Sequence, residues 1–382
     1  MNVRRGALWG LLAAKAIAGI GVGWDIRWHV VIGRDSFWIA PHVMTYAGVA
    51  VAAILSFGML VLETWRRTGA TGARPSVAPA PLLRIAGLWG TRGYHLAWWG
   101  IALTIIAAPI DDLWHRLFGI DVTLWSPPHL LGLAGAQINS LACLLIVREA
   151  WPEKSRARGV ALAIAGLLLF SGFQTGVDPA LRTAFIHGGV RFFTFALLGG
   201  FFFTFTLVLT ARLAGLRTTP IVVVIAAFCL QLAVIVVGDL GLAILQPQPA
   251  VADAIAADPS SPIAIAHEIA RRNGTTPGRG YAVRLFPVLP AIVLAFVDPR
   301  RRPVAAGLAF GLALYAVNGV MFMRLPAFAH VHPASGDALL ALGGTAIVAL
   351  GATLLALAFE ALGSDRPPAR VALSAAPATP RA

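Results

Sequence analysis

Long, nearly uncharged apolar runs dominate this chain. Crossing about 30 Å of hydrocarbon takes roughly 20 residues of helix at 1.5 Å per residue. Runs of that kind fall near 7–31, 39–62, 93–113, 127–147, 159–177, 184–211, 218–246, 281–298, 304–323 and 338–362. In lipid every backbone polar group must be satisfied internally, so such runs become helices. The expected fold is all-α: a polytopic transmembrane helical bundle of about ten spans. Composition agrees, because 58% of the 382 residues are hydrophobic and only 12% charged, about half what a water-soluble surface uses. Mean hydropathy is +0.77.

The net charge of +13 raises the question of nucleic acid. The basic residues, however, sit in short gaps between apolar runs, the pattern that orients membrane helices rather than one that grips phosphates. Arg66, Arg67, Arg74 and Arg84 fill one gap, and Arg148, Lys154, Arg156 and Arg158 the next. Arg212 and Arg217, then Arg300, Arg301 and Arg302, and finally Arg366, Arg370 and Arg381 continue the series. Every second connection is basic, which places both termini in the cytoplasm and the intervening hairpins outside. The expected surroundings are a lipid bilayer, with a homo-oligomer or partner membrane subunits compatible and nucleic acid excluded. Lysine is scarce (Lys15 and Lys154) beside abundant alanine and arginine, a bias of GC-rich bacterial genomes. The expected location is therefore a bacterial plasma membrane. Lys15 interrupts the first apolar run, so that run is read as a retained helix rather than a cleaved leader. Cys143 and Cys229 lie alone within apolar runs, and neither has the spacing of a disulfide framework or a zinc ribbon.

The chain divides by this pattern into a first hairpin over 1–62, a linker over 63–92, a second hairpin over 93–147, the remaining bundle over 148–362 and a Pro/Ala-rich tail over 363–382. The longest outer connection, 247–280, is expected to hold a short helix near 263–272 that stops at Asn273-Gly274.

The two hairpins share a repeat. Residues 25–42 read DIRWHVVIGRDSFWIAPH and residues 111–129 read DDLWHRLFGIDVTLWSPPH. With one residue inserted in the second copy, Asp25, Trp28, His29, Gly33, Asp35, Trp38, Pro41 and His42 match Asp111, Trp114, His115, Gly119, Asp121, Trp125, Pro128 and His129. A duplicated two-helix unit accounts for this. Asp25 and His29 are i and i+4 and so share one helix face. His42 opens the next span, where the hairpin can fold it back beside them. One carboxylate and two imidazoles suit copper, zinc or ferrous iron with coordination positions left open. The candidate ligands are Asp25, His29 and His42 in the first copy, and Asp111, His115 and His129 in the second. Asp35, Asp121 and Asp112 are expected as outer partners of the imidazoles. His187, His330 and His332 also fall on the outer side and are secondary candidates. His95 is expected at the cytoplasmic interface and His267 in an exposed loop. Tryptophans at helix ends are ordinary in an interface belt, and a lone His or Asp there is usually structural. The same triplet occurring twice near the membrane favours a site.

The run Asp25-x-x-Trp28-His29, then Arg34-Asp35-Ser36 and His42, resembles the C subunit of the copper membrane monooxygenases, the methane and ammonia monooxygenase family. The resemblance implies metal ligation by Asp25, His29 and His42, with copper as the first expectation and zinc or iron as alternatives. It covers about twenty residues of each copy. In the second copy Ile120 stands where Arg34 does, and Pro41 stands where the family tends to have Ser. That subunit carries one motif rather than two and works with partner subunits. Three functions follow as expectations: an oxygenase-like membrane oxidoreductase, a metal-handling or transport protein, and a structural membrane protein without metal. The sequence has no haem, flavin, nicotinamide or Walker motif.

Overall fold

The computed structural model describes residues 3–33, 36–68, 81–118, 123–153, 155–280 and 282–362. Thirteen α-helices are found among them. They are α1 (Val3–Ile32), α2 (Ala40–Thr68), α3 (Arg92–Phe118), α4 (Pro127–Ala150), α5 (Arg156–Val177), α6 (Pro179–His187) and α7 (Thr194–Ala214). There follow α8 (Thr219–Leu245), α9 (Val251–Ala257), α10 (Pro262–Arg272), α11 (Val288–Val297), α12 (Pro303–Arg324) and α13 (Ser335–Leu362). Among the described residues nine helical stretches are long and apolar enough to cross a membrane: α1 to α4, α5 continued through α6, α7 with the 3₁₀ turn before it, α8, α12 and α13.

The tenth expected run differs. Pro287 stands at the break between a 3₁₀ turn (Ala282–Leu285) and the short α11, since proline cannot donate to a preceding helical turn. It nevertheless carries the chain from one end of the bundle to the other. Its start holds Arg284, which pairs with Asp178 at the end of α5, and its finish leads to Arg300, which donates to Gly215 O beyond α7. The expected boundary at 184 also shifts. His187 closes α6, and Gly188 and Gly189, both at positive φ, separate it from α7.

The basic connections gather at one end. Arg4 pairs with Glu63 at 2.8 Å, Tyr94 Oη donates to Arg4 O, Arg148 Nη1 donates to Glu360 O, and Arg212 Nε donates to Glu360 at 2.5 Å. Each basic side chain thus closes a helix terminus or meets one of the few carboxylates there, satisfying groups that a helix end leaves open. The expected linker over 63–92 is structured at both edges: α2 runs on to Thr68, and β1 (Leu83–Ile85) and β2 (Leu88–Gly90) form an antiparallel hairpin. That hairpin is tied down by Trp89 N donating to Thr64 Oγ1 and by the buried His95, whose Nε2 meets Leu83 O at 3.2 Å. The middle of the linker and the tail lie outside the described residues.

Close helix approach rests on small residues, as in membranes generally. A Cβ placed on Gly21 would lie 2.5 Å from Thr45 Oγ1, and one on Gly48 2.6 Å from Ala14 O, so these glycines let α1 and α2 touch backbone to backbone. Gly100 and Gly135 do the same for α3 and α4. The other half of the bundle closes on phenylalanines, with Phe322 and Phe328 stacked at 4.5 Å beside Phe192, Phe195 and Phe286.

Candidate metal centre

α1 ends because Gly33 takes φ +73°, and its N–H closes the last turn on His29 O at 3.1 Å. A left-handed glycine just past a helix is the usual stop. The chain turns through Ser36–Ile39, and α2 begins at Ala40 with Pro41 in its first turn, where a missing N–H costs nothing. His42 thereby faces back toward the last turns of α1.

The three candidate ligands of the first copy converge. Asp25 Oδ1 lies 3.1 Å from His42 Nε2 and 3.5 Å from His29 Nε2. The two imidazole rings are 6.3 Å apart, and the donor atoms of all three side chains lie within 4.8 Å of one another. Both Nε2 atoms come close to Asp25 Oδ1, an enclosed oxygen that accepts no hydrogen bond. A tetrahedral ion with ligands at 2.0–2.2 Å sets those ligands about 3.3–3.6 Å apart. The residues present therefore fit a small transition-metal ion. The three side chains are 16–21% exposed, which leaves room for a further ligand.

The second copy is tethered differently. His129 Nε2 lies 3.3 Å from Asp111 Oδ1, while its Nδ1 lies 2.7 Å from Thr123 O. That contact requires a proton on Nδ1 and turns Nε2 toward the carboxylate. Thr123 is itself held by Arg182 at 3.1 Å, and Trp125 Nε1 donates to Gly176 O at 2.8 Å. The His115 side chain lies outside the described set, as do Asp35 and Asp121. Among the described residues only Asp25, His29 and His42 form a group that could hold a metal ion.

Several expectations are corrected. Asp112 does not orient an imidazole; it pairs with Arg116 on the surface at 2.7 Å. His330 is a structural tie, with Nε2 3.0 Å from Phe185 O and Nδ1 3.1 Å from Arg272 Nη1. His187 and His332 are exposed, and neither joins a metal-holding group among the described residues. His267 is not a free loop residue, since its Nε2 meets Val30 O at 2.8 Å and caps the last turn of α1. Asp239, an isolated acid in the sequence, takes hydrogen bonds from Arg27 and Arg279. Tyr46, one turn after His42 with its ring 5.8 Å away, was readable from the i, i+4 spacing. Compared with models of known protein families, with curated proteins and with solved structures, the chain matches none.

Proposed function

We propose that this membrane-spanning protein binds a transition-metal ion, copper first, through Asp25, His29 and His42. One observation carries the reading: an enclosed carboxylate oxygen that accepts no hydrogen bond, with two imidazole nitrogens at the spacing of a coordination edge. A buried anionic oxygen without a donor is costly unless a cation compensates it. The second set, Asp111, His129 and His115, is proposed as a related site. The basic end of the bundle is assigned to the cytoplasm of a bacterial plasma membrane, which places both sets outside.

Copper held there would supply a redox couple and open coordination positions. The chain's own side chains would anchor it from two helices, and Phe37, Trp38 and Tyr46 form an aromatic wall beside His42. That wall gives an apolar molecule a surface next to the site, which favours oxygenase-like chemistry over metal carriage. The local sequence resemblance points the same way.

The test is elemental analysis of the purified protein with His29→Ala/His42→Ala and His129→Ala variants. Near-stoichiometric copper that disappears in the double variant supports the site; metal equal in all forms, or absent after reloading, overturns it. Oxygen consumption by the copper-loaded protein then separates an oxidoreductase from a carrier, in which bound copper exchanges without turnover.

A further inference from the structure

Arg27 stands between Asp25 and His29 in the sequence but on the opposite face of α1, since two residues of helix turn through about 200°. Its guanidinium is buried against α8. Nη1 donates to Ile235 O at 2.7 Å and Nη2 to Asp239 Oδ1, while Arg279 holds Asp239 from the other side at 2.7 and 2.8 Å. α8 has a notch shaped for this face. A Cβ on Gly238 would lie 3.0 Å from Arg27 Nη1, and one on Gly241 2.1 Å from Trp24 Cζ2. The outer connection adds two ties on the same turns, Ala250 N to Ile32 O at 2.7 Å and His267 Nε2 to Val30 O at 2.8 Å.

We propose that Arg27 is a positioning residue that fixes the rotation of α1 and so aims Asp25 and His29 at His42. Rotating a helix by 20° carries a side-chain tip about 5 Å from the axis through roughly 2 Å. That is enough to dissolve a cluster whose separations are 3.1 and 3.5 Å. Two independent acceptors on α8 make Arg27 hard to replace, because lysine has no planar fork to reach both. The metal arm of the test rests on the reading of the cluster as a metal site; the geometric arm does not.

The experiment uses the full-length protein carrying ¹³C-labelled histidine, with Arg27→Gln, Asp239→Asn and Gly238→Ala variants. Arg4→Gln breaks an ion pair at the far end and serves as control. In the metal-free protein the His29 and His42 ring resonances, assigned by substitution, shift in the first three variants and stay in place in the control. With Cu(II) added, those variants bind at least tenfold more weakly, and their paramagnetic resonance spectra differ from wild type. Folded Asp239→Asn and Gly238→Ala proteins with wild-type ring resonances would overturn the proposal, even if Arg27→Gln fails to fold. A wild type that binds no copper sinks the metal reading alone, and the ring resonances still decide the role of Arg27.

Discussion

Gly48 and Gly58 stand on α2 under opposite constraints. A methyl group at Gly48 would lie 2.6 Å from Ala14 O and 2.8 Å from Ala18 Cβ, whereas one at Gly58 meets nothing within 4 Å. Gly48→Ala should therefore prise α1 from α2 and destabilise by about 1–3 kcal/mol, the usual range for overpacking. Gly58→Ala should stabilise by up to about 1 kcal/mol, because alanine loses less backbone entropy in a helix. Thermal unfolding in detergent checks both, and equal midpoints would refute the contrast. Gly48→Ala should also weaken the proposed metal binding, since Asp25 and His42 sit on the two helices it separates. At this level the pairing of Asp25 with His29 was legible, because i, i+4 spacing alone dictates a shared face. The carbonyl tether on His129 was not, because Thr123 O reaches it only through the path of the loop.

α10 is the element the sequence announced most fully. Ser261 caps it by accepting from Ala264 N at 3.1 Å, Pro262 opens it, and Gly274 at φ +62° follows its end. Its last turn holds Glu268 between Arg271 and Arg272, whose hydrogen bonds pull the carboxyl down to about 2. An ordinary unfolded glutamate titrates near about 4.3. A depressed folded value contributes stability that is full above the unfolded value and is lost as pH falls through the folded one. The protection of the α10 amides, exchange taken relative to the intrinsic rate at each pH, should therefore be steady from neutral pH to about 5 and fall between about 4 and 2. In Glu268→Gln that acid step should vanish; its persistence would assign the step to another group. α11 was less legible. Its apolar length matched a span, but Pro287 set the start of the helix and left it ten residues long.

Ten passages through the bundle, nine long and one short among the described residues, bring the last turn of α13 to the basic end of the bundle, where α3 and α4 meet it. Arg92 Nη1 donates to Leu362 O at 3.0 Å, and Arg148 Nη1 to Glu360 O at the same distance. Because 282–297 runs from the Asp178 end of the bundle to the Gly215 end, Ser260 and Arg301 should lie on opposite faces of the membrane. A cysteine placed at each of these exposed positions in turn, in a Cys229→Ser background that keeps only the buried Cys143, should report this through a membrane-impermeant maleimide. In intact cells Ser260→Cys should label and Arg301→Cys should not. Labelling of both from outside would place that segment on one face and reverse the side assigned to one terminus.

Membrane residence, the helical class, the alternation of basic connections and the Asp-x-x-Trp-His spacing were all determined by the sequence. Each depends on quantities that add along the chain: hydrophobic length, charge between runs and the 3.6-residue helical turn. The meeting of His29 and His42 at Asp25 was expected from the hairpin, but only tertiary structure decided which of the other histidines are tied elsewhere. His29 and His42 converge on Asp25, while His330 and His267 are spent on backbone carbonyls. That choice follows from the rotation of each helix about its axis. Distant partners set the rotation: the Gly238 and Gly241 notch for Trp24 and Arg27, and Gly48 against Ala14. Local spacing carries no information about such partners, because they belong to segments far along the chain.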